Sequence, residues 1–97
     1  TGRYDDALES ATDARHIAEA IYGDRHWRTA ITMSAQGEAL TGLGKFGEAE
    51  ELLLGSYEIL KADDGALPLF VDSTEQRLAS LYDQWGKPPA ELDITHR

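Results

Sequence analysis

Apolar residues recur along most of this chain at steps of three and four, the spacing that lines one face of an α-helix. Phe46, Ala49, Leu52, Leu53, Tyr57 and Leu60 form one such stripe, while Glu48, Glu50, Glu51 and Glu58 fall largely on other faces. The spacing predicts a helix from about Phe46 to Lys61, with acids in the first turns where the helix dipole favours them. Before it, an alanine-rich run (Ala30, Met33, Ala35, Ala39, Leu40, Leu43) predicts a helix from about Trp27 to Leu43. Gly44 reads as its stop, because glycine takes positive φ at little cost. From about Tyr4 to Tyr22, the stripe Ala7, Ala11, Ala14, Ala18 and Ile21, flanked by Leu8 and Ile17, predicts a further helix. Gly23 is its expected stop, and Asp24 the expected cap of the helix that follows. Turn composition from Ala62 to Leu67 separates the third helix from a fourth that opens at Pro68 and carries Val71, Leu78, Leu81, Tyr82 and Trp85 up to Gly86.

The punctuation between these stripes repeats. Gly44-Lys45-Phe46 is preceded by Gly2-Arg3-Tyr4 and followed by Gly86-Lys87-Pro88, with glycine at 2, 44 and 86, a constant interval of 42 residues. A fixed period of this length means one supersecondary unit stacked on copies of itself, burying faces that no single unit buries alone. The unit is an antiparallel helical hairpin in which the small Ala49 allows close approach and Phe46 fills the space beside the turn. The expected fold is all-α: four helices in antiparallel hairpins, stacked as a short right-handed solenoid. It divides into a half repeat at 2–22, a full repeat at 27–61 and a half repeat at 68–86, together a repeat domain over 1–86. A tail, 87–97, follows. Pro88 and Pro89 interrupt the next copy and leave too few residues for a stable unpacked helix. With no initiator methionine and a start inside a unit, the chain reads as a piece of a longer protein.

Charge narrows the partners. Nine Lys and Arg against 18 Asp and Glu give the 97-residue chain a net charge of -9, which disfavours nucleic acid and anionic membranes and favours basic or neutral protein partners. No apolar run approaches the roughly 20 residues of a membrane helix. The chain has no cysteine, so disulfide and thiol chemistry are excluded, and a cytoplasmic location is compatible.

Catalytic and metal chemistry find no footing in the spacing. His16, His26 and His96 include no pair three or four residues apart, the step that would place two ligands on one helix face. They read as solvated or capping histidines, and neither metal nor cofactor is expected. Asp63-Asp64 lacks the alternating ligands and glycine of a calcium loop and reads as turn and cap chemistry. The serines at 10, 34, 56, 73 and 80 have no nucleophile-elbow context, and no Gly-rich phosphate loop occurs. Trp27 and Trp85 read as core or hairpin-edge packing rather than exposed binding aromatics.

Gly37 with Leu40, Gly44, Phe46, Ala49 and Leu53 resembles the tetratricopeptide repeat signature in order and spacing, and Ala79, Tyr82 and Gly86 repeat its first half. The period of 42, with Tyr22-Gly23-Asp24-Arg25-His26 between helices, is similar to the longer kinesin-light-chain type, which occurs in bacterial scaffolds and beside serine/threonine kinase domains. Trp27 departs from that type, which usually has proline there. The resemblance implies a non-enzymatic protein-interaction scaffold that binds a peptide or protein segment. Alternatives are a regulatory or targeting segment of a larger protein such as a kinase, or a structural cap of a longer array. It also implies that the first helix of each hairpin lines a concave groove, which places Ser34, Glu38 and Thr41, with Gln76, Ser80 and Asp83 one period later, on a candidate peptide-binding stripe. The stripe holds no Lys or Arg, unlike family members that capture acidic C-termini with lysines and asparagines. Exposed apolar surface on the first or last helix predicts self-association of this fragment, with a longer parent chain supplying the cover in its native setting.

Overall fold

A computed structural model describes residues 2–87, and they form four helices: α1 (Arg3–Tyr22), α2 (Trp27–Gly42), α3 (Phe46–Ala62) and α4 (Pro68–Trp85). The tail from residue 88 onward, with Pro88, Pro89 and His96, lies outside the described residues.

The repeated glycines end helices in the same way. Gly44 has φ of 78°, the Lys45 N–H donates to the Leu40 carbonyl at 2.9 Å, and the Gly44 N–H donates to the Thr41 carbonyl at 3.0 Å. This pair of bonds satisfies carbonyls that the end of α2 would otherwise leave open. One period later Gly86 has φ of 82°, and the Lys87 N–H donates to the Tyr82 carbonyl at 3.2 Å. Between Gly44 and Gly86 the 42-residue repeat is therefore a repeat of backbone geometry as well as of residue type, whereas Gly2, at the start of α1, has φ of -81°.

At the opposite end of the hairpins the caps come from other residues than local sequence suggests. The cap of α2 is His26, not Asp24: its Nδ1 accepts the Arg28 N–H at 3.0 Å. Asp63, far along the chain, adds a second acceptor, its carboxylate receiving the Trp27 N–H at 3.1 Å and the Gly65 N–H at 2.8 Å. One carboxylate thus joins the α3–α4 turn to the start of α2. Tyr22, His26, Trp27 and Phe70 stack in succession beside it, and Trp85 stacks on Phe46 and Tyr82 at the other end. Both tryptophans pack at hairpin edges.

Helix α2 is the centre of the fold and packs against each of the other three. Leu40, Ala49, Leu53, Tyr57, Leu78, Leu81 and Tyr82 form one core cluster, and Ala30, Met33, Ile59 and Leu60 a second. Each fully buried leucine contributes roughly 1.5–3 kcal/mol by its removal from water. Hydroxyls bind α3 to α4 at the margins, with Tyr57 donating to the Glu75 carboxylate and Tyr82 to that of Glu50, both at 2.6 Å.

Of the stripe expected on α1, only Ala11 and Ala18 are buried, while Ala7, Ala14, Ile17 and Ile21 are exposed. Helix α2 covers one side of α1, where Thr12 and Arg15 both bond Gln36, and no described element covers the other.

Candidate functional site

Helices α2 and α4 lie side by side, and their junction is a shallow groove with two depressions. One, about 140 Å³, is lined by Tyr4, Glu38, Thr41, Gly42, Arg77, Ser80 and Gln84. The other, about 190 Å³, has a more apolar wall formed by Ile31, Leu60 and Phe70, with Ser34, Ser73, Thr74 and Arg77. Arg77 belongs to both and divides them.

A directed chain of hydrogen bonds holds Arg77 in place. Its guanidinium donates to Ser34 Oγ at 2.8 Å, Ser34 Oγ and Thr74 Oγ1 lie 3.0 Å apart, and the Thr74 hydroxyl donates to the Phe70 carbonyl at 3.0 Å. Because the Thr74 proton is committed to Phe70, the Ser34 hydroxyl is the donor between the two. Each bond polarises the next, and a fully satisfied chain of this kind fixes one arrangement of α2 against α4. Arg77 also reaches Glu38 at 3.3 Å, in an ion pair whose arginine side chain is 28% exposed and whose glutamate side chain is 59% exposed. Solvent at that pair keeps its contribution to stability small.

The six residues expected on the stripe fall into three groups. Glu38 and Ser80 line the groove and are exposed. Ser34 and Thr41 are buried, which corrects the expectation that they sit on the face away from the core. Packing of α4 beside α2 covers Ser34, whose hydroxyl bonds Thr74, while Thr41 donates back to the Gly37 carbonyl at 2.9 Å. They form the floor of the groove rather than its open surface. Gln76 and Asp83 are exposed on α4 but line neither depression. The six stripe residues include no Lys or Arg, but the groove they border does hold a cation, Arg77, at its centre. No motif marks it: it adjoins Gln76 in sequence and stands out only once α2 and α4 are side by side.

Among the described residues no three His, Asp or Glu side chains gather to hold a metal ion, and no helix is long and apolar enough to cross a membrane. What the fold offers is surface: stacked helical hairpins with a groove between α2 and α4, the architecture of a solenoid repeat protein. The chain belongs to the tetratricopeptide repeat family, whose model matches residues 1–62. Members of that family generally mediate protein–protein interaction and are typically not enzymes. Neither a curated protein nor a solved structure gives a significant match to the chain.

Proposed function

We propose that this chain is a non-enzymatic interaction module that holds a protein segment in the groove between α2 and α4, with preference for a segment carrying Lys or Arg. The observation that carries this reading is Glu38, a carboxylate held at the rim by Arg77 yet still open to solvent on its remaining lone pairs. A basic side chain of the partner meets it, while an apolar neighbour fits the depression beside Ile31, Leu60 and Phe70. Asp83 and the net charge of -9 add attraction at longer range and raise the association rate more than the affinity. The 42-residue period supports the longer, kinesin-light-chain-like type within the family.

A panel of synthetic peptides carrying Lys or Arg, with matched Glu versions, tests the reading. Basic peptides that bind the protein should lose affinity in the Glu38→Gln, Asp83→Asn double variant by more than in the Glu9→Gln, Glu58→Gln variant, which makes the same change of charge elsewhere. Equal losses in both would reduce the effect to net charge and remove the groove from the account.

A further inference from the structure

The 42-residue period gives the chain two comparable joints between hairpins, α1 on α2 and α3 on α4, built at matching positions from unlike residues. Thr12, Arg15 and Gln36 stand in the first where Leu54, Tyr57 and Leu78 stand in the second. In the second joint Leu78 and Tyr57 are buried in one core cluster, and Leu54 packs against it. In the first, both ends of the Gln36 amide are engaged: its Oε1 accepts from Arg15 Nη1 at 3.1 Å, and its Nε2 donates to Thr12 Oγ1 at 3.2 Å. The contrast extends to their neighbours, since Ala11 and Ala18 of α1 correspond to Leu53 and Leu60 of α3. Of the larger apolar side chains of α1, Leu8 alone packs against a core cluster among the described residues. Both sides of each joint are present, so the contrast does not depend on what covers the outer side of α1.

The two joints differ in what opening costs. Parting α3 from α4 would bring Leu78 and Leu81, both fully buried, into water. Parting α1 from α2 mainly uncovers an amide, a hydroxyl and a guanidinium, each of which water satisfies. Helix α1 also carries a wall of the groove. Its Tyr4 lines the depression that holds Glu38, and the ring rests on Gly42: three neighbouring ring atoms lie 2.4, 2.5 and 2.6 Å from the point a Cβ there would occupy. We propose that α1 is a latch on the groove, undocking from α2 as a unit across the polar joint and taking the Tyr4 wall with it. A segment seated beside Glu38 keeps the latch closed, and by linkage a closed latch favours the segment to the same degree. This consequence for binding rests on the groove function proposed above.

Native-state amide hydrogen exchange of the whole chain, comparing residues 11–18 with the centre of α3, tests the latch. An undocked α1 loses its amide protection, because an isolated helix of this length is marginal in water. In the parent protein residues 11–18 should share one opening and exchange about tenfold or more faster than the centre of α3. Thr12→Val keeps the shape but leaves the Gln36 donor without its acceptor, and should speed α1 exchange about fivefold or more. Thr12→Leu with Gln36→Leu copies the second joint into the first, so that opening exposes leucine, and should slow α1 exchange about tenfold or more. The opposite signs separate the joint from a general disturbance of packing. A single step common to α1 and α3, protection lost gradually inward from residue 3, no change in Thr12→Val, or no slowing in the leucine pair would overturn the proposal. A bound basic peptide should slow α1 exchange in the parent protein and do so far less in Tyr4→Ala, and binding without slowing would also overturn the latch. Should none of the peptides bind, the groove function fails, while exchange in the two joint variants still decides the latch.

Discussion

Replacing Gly37 by alanine measures how closely α2 and α3 approach. The substitution sets two effects of opposite sign against each other. Alanine is the better helix former in a helix interior by roughly 1 kcal/mol. Against that, a Cβ at Gly37 would stand 2.5 Å from Leu53 Cγ and 2.8 Å from its Cδ2, well inside contact distance. Leu53 is fully buried, and Cγ is the branch point of its side chain, so no rotation of a free end relieves the clash. Overpacking of this kind costs about 1–3 kcal/mol, and the net expectation is a loss of roughly 0–2 kcal/mol. The cycle with Leu53→Ala isolates the packing. Leu53→Ala alone should cost about 2–5 kcal/mol. In the double variant the clash is absent and the new methyl occupies part of the vacated space, so the two losses should fall short of additivity by roughly 1–3 kcal/mol. Urea unfolding followed by far-ultraviolet circular dichroism gives all three values from shifts in midpoint at constant slope. A Gly37→Ala protein more stable than the parent by the full propensity gain, with losses that add, would refute the close approach.

Other positions give independent checks. Gly42→Ala places a Cβ 2.4 Å from the ring of Tyr4, but that ring is 45% exposed on the first turns of α1 and free to swing outward, so the change should be nearly neutral in the same assay. Gly44→Val forces a β-branched residue to the positive φ of the α2–α3 turn and should destabilise by more than 1 kcal/mol, lowering the urea midpoint. Asp63→Ala removes acceptors from the Trp27 and Gly65 N–H groups and should cost about 0.5–2 kcal/mol, with faster amide exchange at Trp27 than in the parent.

The sequence carried the four helices plainly because the signals agree: stripes at helical spacing, glycines at their ends and a basic residue after each glycine at one interval. Leu40 and Leu53 are buried and Gly44 has positive φ, as that pattern requires. The groove was less legible. A run of small hydroxyl residues on α2 has the same pattern whether solvent or another helix covers it, and Ser34 becomes floor only because α4 brings Thr74 and Arg77 to it. Local reading favoured Asp24 as the cap of α2, since it is the nearest carboxylate. The actual acceptors are His26, which local patterns rank lower, and Asp63, which no local pattern connects to Trp27. The alanines of α1 share one periodicity whether or not a neighbour is present, so pattern alone did not separate Ala11 and Ala18 from Ala7 and Ala14.

A partner held in the groove between α2 and α4 would be seen by amide chemical-shift mapping. Isotope-labelled protein titrated with a Lys- and Arg-bearing peptide from the panel should show its largest perturbations at Glu38, Arg77, Ser80 and Gln84, with Glu9 and Glu58 unmoved. Perturbations confined to the outer faces of α1 and α3 or to the turns, with the groove amides unchanged at saturation, would contradict the account.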